Sequence, residues 1–250
     1  MIFQKLKMEF FGTFISVYFI GLFLIQLYLE NIDFLTFCIA NFAIYLILYW
    51  TTYSISGAHF NPVISLSLVI TGHFKLSNAL WYTMFQFAGA FAAFSFLEMG
   101  VPAKITSQLI KNSMFGFPLN SNTSDVRKLC FEMFLGFLLV FIYYLCFIHK
   151  SSSKLLYAVS IPAFYFCANV FSFKFSGAGL NPPRMIAYCI LAGTWWKLYI
   201  WLLGPIFGGI IGAFLASLLL NETANERKNR IKQERLKQEQ EELRDRMKFE

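Results

Sequence analysis

The stretch "ISGAHFNPVIS", residues 55–65, breaks an otherwise apolar chain with a polar, helix-interrupting cluster of Gly57, His59, Asn61 and Pro62. A second copy, "FSGAGLNPPRM", stands at residues 175–185. Asn followed by Pro reads as a helix start. Asn is a favoured N-cap, and Pro suits the first helical position because its missing N–H would be unpaired there anyway. Asn61 is therefore predicted to cap a helix beginning at Pro62, and Asn181 one beginning at Pro182. The apolar pieces behind them, at 62–71 and 182–191, are too short to cross a bilayer, which takes about 20 helical residues.

Working outward, six runs are long enough to cross: 8–29, 34–54, 78–99, 129–149, 155–173 and 196–220. Non-helical backbone at membrane depth is tolerated only where it is buried in protein or lines a wet cavity. The two motifs are thus predicted to be re-entrant, each a loop going in and a half-helix coming back. "EFFGTF" begins at Glu9 and "EMFLGF" at Glu132; Glu9 precedes Asn61 by 52 residues and Glu132 precedes Asn181 by 49. Three spans per half is an odd number, so the second half runs opposite to the first, the inverted repeat common among membrane transport proteins. The expected fold is an all-α membrane protein with six spans and two half-helices. Residues 1–110 form the first repeat, 111–221 the second, and 222–250 a charged tail.

Composition agrees with this division. Hydrophobic residues make up 57% of the 250 and charged residues 14%, against about 25% charged in an ordinary soluble domain. Nine of the 21 Lys and Arg, and eight of the 14 Asp and Glu, fall in residues 222–250. The remaining body cannot cover itself with a hydrated surface, so its solvent is lipid. The formal charge of +7 then reads as basic membrane flanks and not as a nucleic-acid surface, because no recognisable nucleic-acid module carries it. Cys38, Cys130, Cys146, Cys167 and Cys189 lie in apolar segments without metal-ligand spacing, and are expected to be core hydrophobes. No metal or cofactor is expected. No nucleophile, base and orienter converge, so the chain is not expected to be an enzyme.

Two half-helix N-termini meeting near mid-membrane would each bring about half a positive charge and an Asn amide donor. Donors aimed at one point from both sides hold a water oxygen by its lone pairs, which interrupts a proton wire, while the positive field repels cations. Gly57 with Ala58 and His59, and Gly177 with Gly179, allow extended backbone to turn carbonyls toward a pore. Arg184, charged at membrane depth, is a functional-site residue by default: either a pore-facing donor or the partner of an ion pair with Glu132.

On these residues the chain resembles the major intrinsic protein family, the aquaporins and aquaglyceroporins. "SGAHFNPV" and "SGAGLNPPR" resemble its two signature loops, Glu9 and Glu132 its repeat starts and loop supports, and the likeness spans residues 8–220. The resemblance implies a homotetramer with one pore per subunit, permeated by water or small neutral solutes such as glycerol, urea or ammonia. It places the pore motifs at Asn61, Pro62, Val63 and Asn181, Pro182, Pro183, and the outer selectivity ring at Asn41, Asn169, Ala178 and Arg184. Two Asn in that ring make it more open and polar than the family's usual aromatic and His; Met185 after the Arg, where glycerol channels carry Asp, counts against glycerol. The family's third motif residue is usually Ala. Val63 is expected to add bulk near the narrow centre. Pro183 removes the N–H that would satisfy the Asn181 side-chain oxygen, so the Arg184 N–H is expected to serve. The alternative to a channel is a poorly conducting junction or scaffold member of the same fold.

Both termini are expected on the cytoplasmic side, of the plasma membrane or an internal vacuolar membrane. Asn122 in "NTS" is then a candidate glycosylation acceptor outside, Ser151–Ser153 a flexible cytoplasmic turn or phosphorylation site, and Trp195 and Trp196 interfacial anchors. Gly204, Gly208 and Gly212, and Gly89 with Ala93, are expected to let helices pack closely.

Overall fold

The structure, a computed structural model, describes residues 2–105, 107, 123–148, 154–192, 197–220, 229 and 236. Asn122, Ser151–Ser153, Trp195, Trp196 and nearly all of the charged tail lie outside the described residues. The helices are α1 (Ile2–Tyr28), α2 (Phe34–Ser56), α3 (Pro62–Ile70), α4 (Leu76–Gly100), α5 (Asp125–Tyr143), α6 (Lys154–Ser176), α7 (Pro182–Ala192) and α8 (Leu198–Leu219). A π-helical turn, Tyr144–Ile148, continues α5. Among the described residues, six segments are long and apolar enough to cross a membrane; α3 and α7 are the short half-helices. The order span, span, half-helix, span occurs twice, and no strand is present among the described residues.

The chain is turned inside out relative to a soluble domain. Phe11, Ile47, Trp50, Met84, Phe96, Phe134, Phe171, Phe207 and Phe214 are exposed on the outer surface, while Glu9, Asn41, Asn61, Gln86, Glu132, Asn169, Asn181 and Arg184 are buried. Lipid accepts the first set, and the second set satisfies itself inside. The cysteines do not all follow the expectation of core placement: Cys38, Cys146 and Cys189 are buried, but Cys130 and Cys167 are exposed. Their helical faces point outward, where a thiol is apolar enough to meet lipid.

Small residues set the helix pairs. In the first repeat α4 packs along α1, and in the second α8 packs along α5. A side chain at Gly89 would run into the Phe10 carbonyl; at Gly208 and Gly212 it would run into the Met133 and Phe137 carbonyls, and at Gly136 into that of Pro205. These backbone-to-backbone contacts give the close approach that membrane helices use in place of a hydrophobic driving force. The repeats are joined by α2 against α6.

Helix ends follow local chemistry. Asp33 caps α2 by accepting from the Thr36 N–H at 2.7 Å, which holds its carboxyl below the usual carboxylate range. Ser124 caps α5 in the same way through the Arg127 N–H. At their far ends α2 and α6 stop on left-handed glycines, Gly57 (φ 90°) and Gly177 (φ 88°), whose N–H groups bond the Tyr53 and Phe173 carbonyls. Those glycines open the two re-entrant loops.

Candidate functional site

The loops leading into α3 and α7 share one backbone pattern. Gly57, Ala58 and Phe60 have positive φ (90°, 48° and 49°), as do Gly177, Ala178 and Leu180 (88°, 46° and 53°). Left-handed backbone at a non-glycine residue costs on the order of 1–3 kcal/mol, so four such residues need something to hold them. Two buried carboxyls do. Glu9 accepts from the Ser56 hydroxyl (2.6 Å) and the His59 N–H (3.0 Å) on one oxygen, and from the Phe60 N–H (2.7 Å) and the Gln86 amide (2.8 Å) on the other. Glu132 accepts from the Ser176 hydroxyl (2.6 Å) and the Gly179 N–H (2.9 Å), and from the Leu180 N–H (2.9 Å). Each loop is also held at its start by an aromatic donor from the third span of its own repeat. Tyr82 donates to the Ser56 carbonyl at 2.9 Å, and the Trp201 indole to the Ser176 carbonyl at 2.7 Å.

The half-helices then meet at their N-termini. The Asn61 Nδ2 donates to the Leu180 carbonyl at 2.9 Å, and the Asn181 Nδ2 to the Phe60 carbonyl at 3.0 Å. This is a reciprocal pair: each motif's amide is tied to the residue just before the other motif. One hydrogen of each NH2 group is used this way. The second hydrogen of Asn61 reaches the Tyr165 hydroxyl at 3.5 Å, the weak end of a hydrogen bond.

The third motif positions behave differently from each other. Asn61 Oδ1 accepts from the Val63 N–H at 2.9 Å. Val63 turns one methyl toward α8. Its Cγ1 sits at Gly209 of α8, 2.6 Å from where a side chain would begin, so the missing side chain there makes room. In the second repeat Pro183 offers no N–H, and the Arg184 N–H does not replace it: Asn181 Oδ1 is buried with no hydrogen-bond partner. The three-residue cap that Asp33 and Ser124 make to Thr36 and Arg127 is not made here. Restoring the donor should therefore stabilise the chain. Pro183→Ala is expected to add about 1 kcal/mol, a regained bond to a buried acceptor less the proline's restriction of the unfolded chain. A melting temperature in detergent that is unchanged or lower would rule this out.

Arg184 is held by the loop ahead of it. Its Nη2 donates to the Ala178 carbonyl at 2.6 Å and to that of Gly179 at 2.7 Å, while Nε has no protein partner. The alternative ion pair with Glu132 does not form; among the described residues the ion pair recorded is Lys197–Asp125. Asn41 and Asn169 are buried on the facing helices α2 and α6, and the Asn41 Nδ2 donates to the Phe37 carbonyl one turn back. The carbonyls of Gly57, Ala178 and Gly179 each take a protein donor, that of Gly57 from the Tyr143 hydroxyl at 3.1 Å. The Gly179 carbonyl also accepts from the Asn181 N–H, so both of its lone pairs are taken. His59 bonds Ser65 through Nδ1 at 2.8 Å and is walled by Phe74, Tyr82 and Tyr143, with ring centroids 5.0, 5.1 and 5.5 Å away.

The major intrinsic protein family model matches residues 2–216. The chain belongs to that family. It is 28% identical over 219 residues to the putative aquaporin NIP4-1 of Arabidopsis thaliana, covering 86% of this chain and 74% of that protein. It is 26% identical over 178 residues to aquaporin-2 of Rattus norvegicus, covering 71% of this chain and 64% of that protein. Among solved structures it is similar to the aquaglyceroporin from Plasmodium falciparum, at TM-score 0.67 and 17% identity, covering 86% of this chain and 94% of that one; this last likeness speaks to the fold. A multi-pass membrane protein of a channel family is the coarse conclusion.

Several residues at the site were not singled out in the sequence: Ser56 and Ser176, Tyr82, Gln86, Tyr45 and Tyr165, and the carbonyls of Phe60 and Leu180. The serines carried a usable signal, since each stands directly before the first glycine of its motif copy.

Proposed function

We propose that the protein is a passive membrane channel for water, with some passage of small neutral solutes, that excludes protons and ions. The observation that carries this reading is the reciprocal Asn61–Leu180 and Asn181–Phe60 pair. It brings two helix N-termini and two amide donors to one place, where a water oxygen would be held and its proton relay broken. Arg184, with its Nε unpaired and its Nη2 fixed on backbone, is suited to donate to a permeant oxygen and repel cations. On this reading the ring residues are Asn41, Asn169, Ala178 and Arg184, the chain assembles as a homotetramer, and both termini are cytoplasmic. A low-conductance member of the fold is the second reading. It is favoured by one observation, a stacked tyrosine pair between α2 and α6.

Stopped-flow light scattering of proteoliposomes tests the proposal. Wild-type vesicles should shrink at least several-fold faster than empty ones under an impermeant osmolyte. Arg184→Val should keep water flux but raise proton or cation leak about tenfold, read with an entrapped pH dye. Shrinkage no faster than that of empty liposomes would overturn it.

A further inference from the structure

Tyr45 lies four residues along α2 from Asn41, and Tyr165 lies four residues before Asn169 on α6. Four residues are about one helical turn, roughly 6 Å of rise, and residues so spaced share a face. Because α2 and α6 run in opposite directions through the inverted repeat, both tyrosines are displaced the same way, inward from the two asparagines toward the meeting point of the half-helices. The Tyr165 hydroxyl fixes the depth, 3.5 Å from the Asn61 Nδ2. The two rings are stacked, with centroids 4.2 Å apart and planes 9° from parallel. That spacing is ring-on-ring contact with no room for a water between. Both residues are buried, and Tyr45 also packs on Tyr49 (6.2 Å), which packs on Phe60 of the first motif.

Resting on the channel reading above, we propose that the Tyr45–Tyr165 stack is the narrowest element of the pore, and that it, and not the ring at Asn41, Asn169, Ala178 and Arg184, sets unit permeability and size cut-off. The ring carries polar side chains that can exchange hydrogen bonds with a permeant molecule. The stacked rings offer flat apolar faces and a single hydroxyl beside Asn61. Water passes the ring edges in single file, and glycerol, wider and needing a continuous set of hydrogen-bond partners, is stopped there.

The experiment compares wild type, Tyr45→Val, Tyr165→Val, the double variant, and Tyr45→Phe with Tyr165→Phe, in proteoliposomes at matched protein content and with monodisperse elution as the folding control. Opening the stack should raise osmotic water permeability per protein at least about threefold, lower its activation energy, and admit glycerol. The Phe pair keeps the stack and should stay at the wild-type cut-off. Wild-type flux with an unchanged rate, activation energy and glycerol exclusion in the double variant would overturn the proposal and leave the channel reading standing. No flux above empty liposomes in wild type and in every variant would overturn both. A silent wild type with a conducting double variant would overturn the channel reading, and with it a stack that water passes, in favour of the low-conductance reading. A purely structural contact would lower the melting temperature of the Val variants without moving the activation energy or the glycerol cut-off.

Discussion

Glu9→Gln is expected to prevent accumulation of folded protein, and Glu132→Gln to weaken it to a lesser degree. Glu9 receives donors on both oxygens, two to each. An amide keeps one acceptor oxygen and presents an NH2 group to the other two donors, so two hydrogen bonds become donor–donor contacts in a buried site. Each unsatisfied buried group costs about 1–3 kcal/mol, and charge-assisted bonds are lost as well. The total, about 3–5 kcal/mol, is a large part of the 5–15 kcal/mol that ordinarily separates folded from unfolded protein. Glu132 takes two donors on Oε1 but one on Oε2. A glutamine can place its amide at the second oxygen and lose a single bond. The ranking is therefore the sharp part of the expectation. Melting temperatures read by intrinsic fluorescence in detergent check it, and two variants within a degree or two of wild type, or the reverse order, would refute the account of the loops.

Gly208→Val should be nearly as damaging for a different reason. A side chain there meets the Met133 carbonyl group and the Phe137 nitrogen, all backbone, with no flexible side chain to swing aside. Helices α5 and α8 must separate, and over-packing of a tight contact costs about 1–3 kcal/mol or more. Separation also disturbs the neighbouring Gly209, against which Val63 and Ser67 of α3 rest, so the half-helix moves too. Gly100→Ala is the control. Nothing lies within 4 Å of a side chain at that position, and its melting temperature should match wild type. If Gly208→Val melts with Gly100→Ala, the close α5–α8 contact is not what holds the second repeat together.

The fold was legible because two signals were strong and local. Apolar runs long enough to span are read from length alone, and Asn61-Pro62 and Asn181-Pro182 mark helix starts by chemistry that needs no tertiary partner. All six spans and both half-helices stand where these signals put them, with α1 reaching back to Ile2, ahead of the apolar run, since a helix can outlast the hydrocarbon that its sequence announces. What was not legible depended on direction. Val63 reads as bulk beside a motif, and only the placement of Gly209 reveals that it turns toward α8. Pro183 was known to remove a donor, but whether Arg184 could substitute depended on an ångström-scale reach. Tyr45 and Tyr165 sit in apolar spans and read as hydrophobic mass, since a phenol shows no partner until the facing helix is known.

The reciprocal Asn61–Leu180 and Asn181–Phe60 bonds also impose an order on biosynthesis. Their partners are 119 and 121 residues apart in the chain. At a synthesis rate of about 5–20 residues per second, the first re-entrant loop waits roughly ten seconds for its counterpart to leave the ribosome. During that interval the Asn61 amide needs water or translocon groups as temporary partners, since the bilayer offers none. The first half of this protein is thus a nascent intermediate with a polar wound at membrane depth. Its closure by the second half, and not the insertion of any one span, is the committing event of assembly.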